Sequence, residues 1–139
     1  MSAITQLRRV HPINFLVRDL DAAIARYQNY FGSEIQQRET LDQRGVKTAR
    51  FQVGETWIVL VQPLSEKGLP AKHLKARGEG IFLISCQVND VVAAAAELQA
   101  KGATVETTTP RQGLDDWQII DLCPDDFFGV NLQLVQSDN

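Results

Sequence analysis

The chain has only two cysteines, Cys86 and Cys123, far apart and without CxxC spacing. That excludes a disulfide framework and a zinc ribbon and points to a reducing compartment, the cytoplasm. It also lacks a charge of dominant sign: 14 Lys and Arg against 17 Asp and Glu leave a formal net charge of -3, too little field to recruit nucleic acid. No run of about 18 uncharged apolar residues occurs, and Arg8 and Arg9 have no apolar stretch behind them, so the expectation is a soluble, unprocessed protein without a membrane partner. The acidic pairs Asp115-Asp116 and Asp125-Asp126 lack the spaced ligands and closing Glu of a calcium loop and read as solvated loops. With 139 residues the chain can bury a real core, as a single domain, 1–139.

What the sequence does contain is a unit written twice, about 71 positions apart. A short apolar strand from Ile13 to Asp19 runs into a helix that ends at Gly32, and a second from Ile84 to Asp90 runs into a helix that ends at Gly102. Val17 matches Val88, Asp19 matches Asp90, and Ala22-Ala23 matches Ala93-Ala94. Such a duplication implies a pseudo-two-fold axis with a cleft between its halves, where ligands collect.

Asp19 is an N-cap, Leu20, Ile24, Tyr27 and Phe31 fall on one buried helix face, and Gly32 closes the helix. Extended runs at 34–41, Val46–Val53 and Thr56–Pro63 follow, so the first half reads βαβββ. Pro70 opens a short basic helix, 71–77, which forms the connector. The second half repeats the pattern: a strand at 82–88, a helix capped by Asp90 with Val91, Ala94, Ala95 and Leu98 facing inward, and strands at 103–108, 117–122 and 130–135. The expected fold is α+β: two tandem βαβββ modules, about 8–64 and 81–136 with a connector at 65–80, forming curved mixed sheets around a cleft.

That element order, the phrase Val17-Arg18-Asp19-Leu20 with Tyr27 and Phe31-Gly32 downstream, and the late phrase Cys123-Pro124 through Gly129-Val130-Asn131-Leu132-Gln133-Leu134 resemble the vicinal oxygen chelate superfamily of glyoxalases, bleomycin-resistance proteins and dioxygenases. Further landmarks, Gly45-Val46, Gly54-Glu55-Thr56, Pro63-Leu64 and Gly78-Glu79-Gly80, are similar to the methylmalonyl-CoA epimerases over almost the whole chain. The resemblance implies a divalent metal held by four side chains, His, His or Gln, His, and Glu. Those positions fall on Pro12, Val59, Leu83 and Gln133, and the carboxylate base falls on Thr48. Three of the four have no donor atom, so neither a metal nor another cofactor is expected. His11 lies one residue from the first ligand position, yet strand alternation sets it with Ile13, Phe15 and Val17 against the helices. His73 reads as a solvated residue of the connector helix.

Alternation also says what lines the cleft. Lys47, Ala49, Phe51 and Val53 share the helix-facing side, leaving Thr48, Arg50 and Gln52 opposite. The neighbouring runs add Asn14, Trp57, Val59, Ser85, Asn131 and Gln133 to the latter side. The candidate ligand-binding set is therefore Asn14, Thr48, Arg50, Gln52, Trp57, Ser85, Asn131 and Gln133, and no catalytic residue is assigned. Arg grips carboxylate or phosphate in a bidentate fork, and amides read carbonyls and hydroxyls. The structural alternative is that Arg50 pairs with Glu39 or Glu55 and that neighbours satisfy the amides. Cys86 falls on the helix side as a small buried hydrophobe, and for Cys123 only Arg111 suggests itself as an activating neighbour. Lys67, Lys72, Lys75 and Arg77 form a wet basic face or a seat for nucleotide phosphates.

Two functions fit. One is a metal-free binder of a small organic metabolite bearing a carboxylate or carbonyl, as in the bleomycin-resistance branch that the resemblance names. The other is a metal-independent isomerase or lyase on an acyl-CoA-like substrate. Because Thr48 and Gln133 cannot act as bases at the aligned positions, binding is favoured and no enzyme-dependent exchange of the α-hydrogen of methylmalonyl-CoA is expected, with or without added cobalt; exchange would send the search for a base to Glu39 and Glu55 first. Open sheet edges point to a homodimer.

Overall fold

The structure, a computed structural model, describes residues 6–137. The described residues form two compact units, one of Pro12–Phe82 and the other of residues 6–11 together with 83–137. The Pro12–Phe82 unit carries β1 (Arg9–Leu16, which enters it at Pro12), α1 (Leu20–Phe31), β2 (Gln37–Leu41), β3 (Val46–Val53), β4 (Thr56–Pro63) and α2 (Leu69–Arg77). Its strand order is β2-β3-β4-β1, antiparallel throughout except for the parallel pair of β1 and β4. The other unit carries β5 (Gly80–Gln87, which enters it at Leu83), α3 (Val91–Ala100), β6 (Arg111–Gln112), β7 (Gln118–Asp121) and β8 (Leu132–Gln136), in the order β6-β7-β8-β5. Here too the first and last strands, β5 and β8, are the parallel pair. Both units are βαβββ, as the duplication requires.

The duplication extends to individual hydrogen bonds. Asp19 Oδ1 accepts from Ala22 N at the start of α1, and Asp90 Oδ1 accepts from Val92 N and Ala93 N at the start of α3. The first helical N–H of each is taken by a glutamine from the parallel strand: Leu20 N donates to Gln62 Oε1 at 2.7 Å, and Val91 N to Gln136 Oε1 at 2.9 Å. Val17 N donates to Val61 O and Val88 N to Val135 O, which closes the same corner in both units. Two of the four orphan donors of a helix N-terminus are thus satisfied by side chains in identical fashion. Gly32, at φ 66°, ends α1 in the left-handed region.

One face of each sheet is covered by its helix. Leu20 and Ile24 pack with Ala49, Phe51, Ile58 and Leu60, and Ile13, Phe15 and Val17 flank them. In the other unit Val91, Ala94 and Ala95 pack with Val88, Ile120, Leu122 and Leu134. The alternation read from the sequence is therefore the alternation of the sheets, and Cys86 is buried, with burial pushing its thiol up.

Several expectations are corrected. The first edge strand starts at Gln37, not at residue 34. No strand forms at 103–108; this Thr-rich stretch is irregular, with Thr104 N donating to Asp126 Oδ2, and the fourth strand of that unit is the two-residue β6. Asn131 precedes β8, and its main-chain carbonyl accepts from Ile84 N. Phe31 is 75% exposed, with the rings of Tyr27 and Tyr30 beside it. His73 is half-buried edge-to-face on Phe82, with burial and then Arg77 holding its imidazole below the usual range. Residues 8–11 leave the first module: Arg8 N donates to Gln87 O in the other unit's strand.

If the two glutamines tether the helices, Gln62→Ala and Gln136→Ala should each cost about 1 kcal/mol in urea unfolding, the usual net worth of one such bond. A loss near zero in both would show that water replaces the glutamines without cost.

Candidate functional site

In the Pro12–Phe82 unit the face turned away from α1 is a grid set by strand register. One rung runs Asn14, Val59, Arg50, Gln37, and the next runs Leu16, Val61, Thr48, Glu39. Trp57 and Gln52 form the following pair. Thr48 and Arg50 are each 5% exposed, and Val59 between Asn14 and Arg50 is 1% exposed. Arg50 Nη2 donates to Gln37 Oε1, and the guanidinium lies 4.9 Å from the centre of the Trp57 ring. Gln37 Nε2 in turn donates to Glu39 Oε1. The Arg50 arrangement thus differs from a direct pairing with Glu39 or Glu55: an amide stands between guanidinium and carboxylate. Asn14 Oδ1 is buried with no hydrogen-bond partner among the described residues. Gln52 is exposed and accepts from Gln36. An orphan carbonyl oxygen, a hydroxyl, a stacked guanidinium and an indole on one face suit a planar or carbonyl-bearing organic group with an anionic end.

The equivalent rung of the other unit is Ser85, Gln133, Asp121. Here the side chains satisfy one another. Ser85 Oγ donates to Gln133 Oε1 at 2.7 Å, Gln133 Nε2 donates to Asp121 Oδ1 at 2.8 Å, and Arg111 grips both Asp121 oxygens at 2.7 and 2.9 Å. Burial pushes the Asp121 carboxyl up, but the hydrogen bonds and charge of Arg111, with the Gln133 amide, outweigh it and hold the group below the usual carboxylate range. Arg111 is therefore engaged by Asp121. The sequence pointed to Ser85 and Gln133, and to Arg111 only as a neighbour of Cys123; Asp121 and its pairing with Arg111 emerge only from the pairing of β6, β7 and β8.

His11 is 1% exposed, with its ring 4.8 Å from that of Trp117. Trp117 alternates with Ile119 and Asp121, on the face away from α3, so His11 does not join the helix-side core that Ile13 and Phe15 enter. The expected placement of His11 against a helix is thus corrected; both His11 and Pro12 are buried, so alternation slips at this pair. As to a metal, the residues do not fit one: Pro12, Val59 and Leu83 offer no lone pair, and both ends of the Gln133 amide are engaged by Ser85 and Asp121. Among the described residues no three His, Cys, Asp or Glu side chains converge as a metal would need, and no helix is long and apolar enough to cross a membrane.

Known proteins share this arrangement of elements. Over 130 residues the chain is 32% identical to an ethylmalonyl-CoA/methylmalonyl-CoA epimerase of Cereibacter sphaeroides, covering 92% of this chain and 97% of that one. It is 27% identical to the mitochondrial methylmalonyl-CoA epimerase of Homo sapiens, covering 97% of this chain and 77% of that one. A Streptomyces coelicolor methylmalonyl-CoA epimerase variant in complex with 2-nitronate-propionyl-CoA superposes with a TM-score of 0.91 at 31% identity, over 96% of this chain and 100% of that one. The α+β fold is the fold of those epimerases. The sequence profile of the Glyoxalase/Bleomycin resistance protein/Dioxygenase superfamily matches residues 11–120, and the chain belongs to that superfamily.

Proposed function

We propose that the chain is a metal-free small-molecule-binding protein, with an acyl-thioester or a similar carbonyl- and carboxylate-bearing metabolite seated on the β2–β3–β4 face. The observation that carries this reading is the rung Asn14, Val59, Arg50, Gln37, which brings a buried guanidinium and an orphan amide oxygen to one side of an apolar floor. Relatives named for methylmalonyl-CoA supply the ligand class. Asn14, Thr48, Arg50, Gln52 and Trp57 hold the ligand in this reading. Ser85 and Gln133 are reassigned to internal structure, since Asp121 and Arg111 complete their hydrogen bonds; for Asn131 the main-chain carbonyl accepts from Ile84 N of β5. The protein works in the cytoplasm as a homodimer, the exposed edge of β2 being the strand a second copy would cover. An isomerase or lyase reading stays alive through Glu39, which shares the ligand face.

Arg50→Leu should weaken methylmalonyl-CoA binding by about 1.5–3 kcal/mol, the worth of a hydrogen bond to a charged group, while Gln133→Leu leaves affinity unchanged and lowers stability. The reverse pattern in calorimetric titration would move the ligand to the other unit. Elemental analysis of the purified protein should find far less than one equivalent of Zn, Co, Ni or Mn; one equivalent lost in Gln133→Leu would overturn the metal-free reading.

The Asp121 network makes a pH prediction. Because its carboxyl is held low, the stabilisation is present above the ordinary value of 3.8 and is lost as pH falls through the folded value. Asp121→Asn should therefore destabilise at pH 7, by about 1 kcal/mol once solvent screening of a half-exposed carboxylate is allowed for, and the gap should close in acid. A gap that widens on acidification would contradict the sign.

A further inference from the structure

The sequence assigned no catalytic residue, and the position where the resemblance implies a base is Thr48. Register changes what that vacancy means. Glu39 on β2 is the direct cross-strand partner of Thr48 on β3, and in an antiparallel pair such partners project to the same face with Cβ atoms about 4.5–5.5 Å apart. The four strands β1 to β4 hold no other Asp or Glu. The unit's only strand carboxylate therefore stands on the face away from α1, beside Thr48 and one rung from Arg50.

Its surroundings hold it in place. Gln37, two residues earlier and on the same face, donates Nε2 to Glu39 Oε1 and accepts from Arg50 Nη2 through its own Oε1. Amide orientation is thus fixed at both ends, and guanidinium and carboxylate are linked through a neutral group rather than locked in a direct ion pair. The bond engages Oε1 alone, which leaves Oε2 to receive a proton.

We propose that Glu39 is a catalytic proton acceptor for the ligand on this face, an inference that rests on the binding reading above. The chemistry needs a C–H bond next to a carbonyl. That bond breaks, its electron pair moves onto the carbonyl oxygen as an enolate, and the proton goes to Glu39 Oε2. The enolate oxygen is met by the Arg50 charge and the Thr48 hydroxyl, donors fixed before the charge develops. Returning the proton to the same carbon regenerates the carbonyl and the carboxylate, so nothing is oxidised or reduced. No metal enters the cycle.

The test is α-hydrogen exchange of methylmalonyl-CoA in deuterated buffer with a chelator present, run beside a thermal-shift measurement with the same thioester. The wild-type chain should exchange the hydrogen. Glu39→Gln should lower the rate by about 100-fold or more, the scale of one positioned acid–base group, while the thioester still raises the melting temperature as in wild type. Adding Thr48→Glu to Glu39→Gln should restore part of the rate by placing the carboxylate one strand over. A thioester that stabilises the protein without exchange, or exchange that ignores Glu39→Gln, overturns the assignment and leaves the binding reading standing. If neither methylmalonyl-CoA nor propionyl-CoA shifts the melting temperature, the binding reading fails first and takes this assignment with it.

Discussion

Each unit depends on the parallel pairing of its first and fourth strands, β1 with β4 and β5 with β8. A parallel neighbour cannot be reached by a tight hairpin. In each unit the helix that follows the first strand packs on one face of the sheet, and most of the alternate positions on that face are apolar. The Gln62 and Gln136 bonds to the helix N-termini fasten that helix to the strand that makes the parallel pair. Positions on the opposite face are then relieved of packing on that helix, and polar side chains such as Thr48 and Arg50 stand there among buried Leu16, Val59 and Val61.

What the two copies do with that opposite face differs. Asp19 and Asp90 are 71 residues apart and Gln62 and Gln136 are 74 apart, so Asn14 corresponds to Ser85 and Val59 to Gln133. By register, Arg50 then corresponds to Asp121. One copy places a cation at this position and the other an anion. Around the anion the sheet has closed its own hydrogen-bond chain, from Ser85 through Gln133 to Asp121 and Arg111, and a chain so closed has little to offer a ligand. Around the cation the rung leaves an amide oxygen of Asn14 buried and unsatisfied by described residues, which is the condition a ligand relieves. In the proposed reading, divergence of the duplicated halves gives one face to structure and the other to recognition.

Much of this was legible in sequence because the signals are local. Asp19 and Asp90 are caps, Gly32 is a helix stop, and period-2 alternation sorted Thr48, Arg50 and Gln52 from Ala49 and Phe51 without knowledge of any partner strand. The absence of donors at Pro12, Val59 and Leu83 needed only an alignment with the resembling family. What was not legible depends on register or on the end of an element. The stretch 103–108 has the β-branched residues of a strand, but Asp126 takes the Thr104 N–H and the ladder never forms. His11 obeyed the alternation rule on paper and broke it where alternation slips at His11 and Pro12. Arg111 with Asp121, and Glu39 with Thr48, are cross-strand relations that no spacing along the chain encodes.

The central claim is that ligand recognition belongs to the β2–β3–β4 face, not to the internally bonded rung of the other unit. An amide and indole NMR titration of the chain with methylmalonyl-CoA tests it most directly. The account predicts shifts at Thr48, Arg50 and Gln52 and at the Trp57 indole, with Ser85, Asp121 and Gln133 little moved. Shifts concentrated on Ser85, Asp121 and Gln133 while the β3 and β4 signals stay still would contradict it.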